Sequence, residues 1–162
     1  MHDALTMYFN GEKYAGLILA GVAVAAMVTA ALLFRAGELR SLAITLALVA
    51  VTEISLGVGL YLRTGPQVRR LHADLQADAP NFYRAETSRM ARVQRNFVLV
   101  EYAELIVIVT TALVAVWMKP RPSPSGVALG LLINAAILLT FDVLAERRGA
   151  QYLAMLTDHA LK

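Results

Sequence analysis

The chain has 162 residues, of which 58% are hydrophobic and 17% charged, and it carries a formal net charge of +3. An ordinary soluble domain is about 25% charged, so too few charges are available to cover the outside of a water-soluble core, and one apolar domain that uses lipid as its solvent is expected. The absence of cysteine excludes disulfides and thiolate chemistry, and His2, His72 and His159 all fall outside the apolar runs, which excludes a bis-histidine haem within them.

The opening "MHDALTMYFNGEKY" lacks a basic n-region and a small-residue cleavage site, so no signal peptide is expected. Its "ALTMYF" stretch suits a membrane interface. A spanning helix needs about 20 mostly apolar residues. Four segments qualify, at about 14–34, 41–62, 97–118 and 126–145. The first contains no ionisable residue. Its small pairs Gly16/Ala20 and Ala26/Ala30 suit close helix packing. "RAGELR" joins it to the second span, and "KPRPSPS" joins the third to the fourth. Both connections are short, which predicts antiparallel pairs.

Residues 63–96 form a longer, arginine-rich helical link. Gly65-Pro66 is expected to break the second span, with Pro66 in the first turn of a new helix whose Val68, Leu71 and Leu75 share a face. "DAP" at 78–80 ends that helix. No breaker follows until Pro120, so the third helix is expected to begin near Phe82 and to extend several turns before the apolar run starts at Phe97. Met90, Phe97, Glu104 and Thr111 recur every seven residues, with Val93, Glu101 and Ile108 between them. That stripe predicts a face packed against protein. After the fourth span, a helix over 147–160, able to bend at Gly149, is expected to lie on the interface or to pack on the extended third helix. The fold class is therefore an all-α membrane protein: four helices in an antiparallel up-down bundle, the third extended into the cytoplasm.

Lysine and arginine set the orientation. The N-terminus, the middle link and the tail carry one, seven and three, and the two short loops carry two each. Eleven against four places both termini and the link in the cytoplasm of a bacterial-type inner membrane. Arg35 and Arg40 run against this rule, because they crowd a loop on the far side.

Four acids stand inside the apolar runs: Glu53, Glu101, Glu104 and Asp142, with Glu146 just beyond. At 1.5 Å per residue Glu53 lies roughly 15 Å above Arg63, Glu104 roughly 13 Å and Glu101 roughly 9 Å above Arg95, and Asp142 roughly 7 Å above Arg147. All four fall in the cytoplasmic half. An intramembrane charge costs about 2.5–3.5 kcal/mol on insertion scales, so such groups are paired, neutral or wet. A shared polar pocket binding an ion or small ligand is expected from Glu53, Glu101, Glu104 and Asp142 with Asn134 and Tyr102, and Arg63, Arg95 and Arg147 are candidate charge partners. The structural alternative has the acids hydrogen-bonding Tyr102, Asn134, Thr52 and arginine to fix helix register. Gly126, Gly130, Asn134, Leu138, Asp142 and Glu146 follow a four-residue step on the fourth helix, and "GVALG" permits close approach.

Glu101-x-x-Glu104 lacks the histidine of a Glu-x-x-His pair, so no transition-metal site and no cofactor is expected, although a hard cation needs only oxygen ligands. Arg69, Arg70, Arg89 and Arg92 are expected at anionic lipid headgroups, and no nucleic-acid partner is expected. In size and helix count the chain resembles the sterol-isomerase and sigma-2 receptor group, whose intramembrane acids line a ligand pocket; the resemblance is one of architecture only, without a shared motif. With no nucleophile–base pair, the leading expectation is a non-enzymatic accessory, partner-binding or immunity-type module, acting with a membrane-protein partner or as a homo-oligomer. The alternatives are an oligomeric proton or cation conduit and an intramembrane enzyme acting on a lipid-like substrate.

Overall fold

A computed structural model describes residues 2–37, 39–118 and 122–160 of the chain. Its elements are all helical: α1 (His2–Ala36), α2 (Arg40–Ala77), α3 (Ala79–Trp117) and α4 (Pro122–Ala160). Each contains a window long and apolar enough to cross a membrane. The helices have 35 to 39 residues, or roughly 52–58 Å at 1.5 Å per residue, against a hydrocarbon core of about 30 Å. Every helix, not the third alone, continues well beyond the length that its apolar run requires.

The connections follow local rules. Gly37 ends α1 with φ +83°, and its N–H donates to the Leu33 carbonyl at 3.2 Å, the left-handed closure that glycine supplies at least cost. A single residue, Asp78, separates α2 from α3. Its N–H donates to the Asp74 carbonyl at 3.1 Å, and its carboxylate accepts the Asn81 N–H at 3.2 Å and the Asn81 side-chain amide at 2.6 Å. Pro80 sits in the first turn of α3, where no N–H is required. Of the "KPRPSPS" connection, Lys119, Pro120 and Arg121 lie outside the described residues, and Pro122 opens α4.

Three expectations about the helix ends are corrected. Gly65-Pro66 does not interrupt α2, which runs unbroken to Ala77. Proline inside a helix costs about 3 kcal/mol. Continuity, however, keeps Ala50, Glu53, Gly57, Thr64 and Leu75, all buried, on one face, and burying a single leucine returns about 1.5–3 kcal/mol. The segment 147–160 packs on α3 and does not lie on the interface: α4 passes through Gly149 without ending, and Tyr152 and Leu156 are fully buried. Likewise "ALTMYF" is the start of α1, with Leu5, Tyr8 and Phe9 buried.

These ends build the core. Leu5, Tyr8 and Phe9 of α1, Leu75 of α2, Phe82 and Met90 of α3, and Tyr152 and Leu156 of α4 form one cluster, with Val68, Leu71, Tyr83 and Val93 packed on it. The Met90/Val93 face of α3 is thus buried against protein, as its stripe predicts. The apolar runs are arranged the other way round, with large side chains such as Leu17, Leu48, Leu99 and Ile106 outward and small residues at the seams. A Cβ on Gly16 would stand 2.8 Å from the Gly57 carbonyl oxygen of α2, and Gly126 and Gly130 of α4 press on Ser41 and Thr45 of α2. The hydroxyls of Thr29, Thr45, Ser55, Thr111 and Thr140 each donate to the carbonyl four residues earlier, so they are satisfied within their own helices.

α1 packs chiefly on α2, and α3 on α4; α2 and α4 join the two pairs, while α2 and α3 touch little. The most apolar window of α2 is 39% buried and that of α3 only 6%. α2 is therefore the inner helix and α3 the outer one.

Candidate functional site

The weak contact between α2 and α3 decides where the acids go. Glu104 of α3 and Asp142 of α4 meet across the α3–α4 seam within hydrogen-bond reach. Glu101, one turn before Glu104, lies within electrostatic reach of Asp142 and Glu146. A hydrogen bond between two carboxyl groups exists only if one of them carries a proton. The remaining oxygens Glu101 Oε1 and Glu104 Oε2 are buried and accept nothing among the described residues, and the same holds for Asn134 Oδ1, two turns away on α4.

Glu53 does not join them. It is 3% exposed on the inner face of α2, one turn from Gly57, and among the described residues it forms no ion pair. Its Oε1 is buried without a described partner. The expected four-acid pocket is thus two sites: a three-acid seam on α3–α4 and a solitary inner glutamate. Sequence depth placed all four at one level, but angular position and helix adjacency separate them.

The other candidates divide in the same way. Tyr102 is exposed. The Thr52 hydroxyl donates to Leu48 of its own helix at 3.4 Å. Arg63, Arg95 and Arg147 are exposed, and among the described residues none forms an ion pair with the four acids. Arg63 acts electrostatically on Glu12 instead.

Sequence reasoning missed a second polar group, at the core end of the bundle. Glu86 is 3% exposed and accepts two hydrogen bonds from Arg89, from Nε at 2.7 Å and Nη2 at 2.6 Å. The Tyr152 hydroxyl donates to Glu86 at 3.3 Å, and the Arg89 guanidinium lies 5.9 Å from the Phe9 ring. Arg89, its side chain 34% exposed, is thus held by a buried carboxylate one turn away. The Glu86 interaction keeps the Arg89 guanidinium more firmly protonated than usual, and burial pushes the Tyr8 and Tyr152 phenols up. Glu12 of α1 stands between the two regions. Burial raises its carboxyl above the ordinary range against the pull of Arg148, Arg63 and Arg89, and Asp142 adds repulsion. Gly11 makes room for the Arg148 side chain, whose Cδ would be 2.9 Å from a Cβ there. The signal for Glu86 was present in the sequence, four residues before Met90 on the packed stripe; nothing local marked Glu12.

Among the described residues no group of three or more His, Asp or Glu side chains is arranged to hold a metal ion. Chemically, the α3–α4 seam can accept hydrogen bonds or a proton from a neighbouring group. Comparison with protein-family models, with curated proteins and with solved structures returned no match.

Proposed function

We propose that the protein is an antiparallel four-pass membrane protein that acts as a non-enzymatic partner-binding module, docking a transmembrane helix of another membrane protein on its α3–α4 face. One observation carries this reading. The apolar window of α3 is the least buried of the four, yet it holds Glu101 and Glu104 beside Asp142, with oxygens that accept nothing among the described residues.

In hydrocarbon, apolar helix faces gain nothing from association, so packing follows small residues and polar groups. That accounts for the glycine seams and for an aromatic core gathered at the helix ends. By the same logic a carboxyl seam on an outer helix attracts hydrogen-bond donors, and a partner helix presenting hydroxyl, amide or basic side chains at that depth suits it. The lysine and arginine balance orients the core end toward the cytoplasm.

The native chain has no cysteine, so single cysteines can be placed along α3 and cross-linked in native membranes. Positions Leu99, Ile106 and Leu113 are expected to give one discrete adduct, and Leu17 and Val24 on α1 none. Glu104→Gln/Asp142→Asn is expected to abolish the α3 adduct. Adducts equally frequent from α1 and α3, or unaffected by the double substitution, would overturn the reading.

A second reading, an oligomeric proton or cation conduit, draws on the Glu104–Asp142 contact, because paired carboxyls can hand on a proton. Its mark is a pH-dependent flux in liposomes that Glu104→Gln removes.

A further inference from the structure

The two arginines that run against the orientation rule have a structural setting. At the end where α1 and α2 are joined, the helices leave an open depression of about 470 Å³, within the usual range of small-molecule sites. Alanines make the floor: Ala30 and Ala43 are buried at 3% and 2% exposure. Phe34, Ile44 and Leu48 stand up as walls. From Met27 to Arg35 the depression runs roughly 12 Å along α1.

Arg35 lines its mouth. Arg40, across the connection, places its guanidinium 5.9 Å from the Phe34 ring, which holds that charge beside the same wall. Among the described residues neither arginine pairs with a carboxylate; Glu38 of the connection lies outside them.

We propose that this depression binds one anionic phospholipid, with an acyl chain along the alanine floor and the phosphate on Arg35 and Arg40. An apolar trough of acyl-chain shape with guanidinium groups only at its headgroup end complements an amphiphile of that form. Two guanidiniums match phosphate oxygens bidentately. The proposal also explains why arginine is kept at an end where the orientation rule disfavours it. It uses the four-span arrangement but not the α3–α4 face, so either conclusion can fail without the other.

The test is native mass spectrometry of the full chain in mild detergent, after incubation with phosphatidylglycerol or phosphatidylcholine. The wild type is expected to retain one phosphatidylglycerol at detergent concentrations that strip phosphatidylcholine. Arg35→Ala/Arg40→Ala should weaken that retention roughly tenfold or more, at about 1 kcal/mol for each arginine near a phosphate surface. Ala31→Phe, an exposed position beside the floor, fills the trough without disturbing the core, and should remove the bound lipid with both arginines intact. Arg84→Ala/Arg147→Ala, two exposed arginines at the opposite end, should leave retention unchanged. Equal retention of both lipids, full retention by the Arg35/Arg40 variant or by Ala31→Phe, or loss only with the Arg84/Arg147 variant would each overturn the proposal.

Discussion

Tyr8 of α1 and Tyr152 of α4 stack with ring centroids 4.7 Å apart and planes 5° from parallel. The pair closes the core at the end of the bundle where the helices outrun their apolar segments, and Phe9 meets Tyr152 edge-on at 6.3 Å. In water each such ring buries 150–250 Å², whereas in hydrocarbon the same contact would gain little. Stability should therefore concentrate in this layer.

Tyr152→Ala is expected to cost about 3–5 kcal/mol, as for other buried aromatics. Tyr152→Phe removes only the bond to Glu86 and should cost about 1 kcal/mol, since Arg89 still satisfies that carboxylate. Reversible unfolding in detergent, followed by circular dichroism, measures both. Equal losses would show that the hydroxyl and not the ring carries the contact.

Glu12 sets a pH dependence. Its folded-state pKa is raised above 4.5, chiefly by burial. The folded protein therefore holds this proton more tightly than the unfolded chain does, and the contribution is full below 4.5 and lost as pH rises through the raised value. Glu12→Gln should match the wild type at low pH and melt higher than it above that window. Thermal melts of both proteins across the acid-to-neutral range decide it; a Glu12→Gln protein that melts lower at neutral pH would mean that the arginines outweigh burial.

The α1–α2 seam tolerates no side chain at its crossing. Gly57→Val drives a side chain into the Gly16 carbonyl and Ala20, and backbone cannot give way as a flexible side chain can. A loss beyond the usual 1–3 kcal/mol of overpacking is expected. Gly59→Ala, two residues on, meets nothing within 4 Å and should stabilise by up to about 1 kcal/mol through helix propensity. The two positions share a helix and face different directions, so similar effects on unfolding would be evidence against this seam.

Pro66→Ala restores an N–H inside a continuous helix. Stability should rise, by at most about 3 kcal/mol. Had Gly65-Pro66 been a true break, the same substitution would leave stability unchanged or lower it. Denaturant titration of the two proteins separates these outcomes.

A hydrogen bond between Glu104 and Asp142 would require a shared proton. Infrared spectra of the protein in lipid should show a protonated-carboxyl band that disappears in Glu104→Gln and, separately, in Asp142→Asn. A band that survives both single substitutions belongs to another acid, and the seam then holds no shared proton.

Much of the architecture was legible because it is local. Apolar runs of spanning length, the Asp78 break and the packed stripe through Met90 are set by residues close together in the chain. Gly126 and Gly130 likewise announced a close approach, although not that α2 was the helix they would meet. The acids were only half legible. Rise per residue gave them a common depth, and depth alone could not tell that α3 and α4 would bring Glu101, Glu104 and Asp142 together while Glu53 turned inward on α2.

By itself the sequence determined four long helices and the small residues at their seams, because hydrophobic run length and turn chemistry act over neighbouring residues. Only the tertiary structure decided that α2 continues through Pro66, that Arg89 is held by buried Glu86, and that the aromatic core lies at the helix ends. Those outcomes depend on which helices become neighbours. The energy that overrides a local breaker or re-aims a charged side chain comes from burial against residues distant in the chain, which no local spacing records.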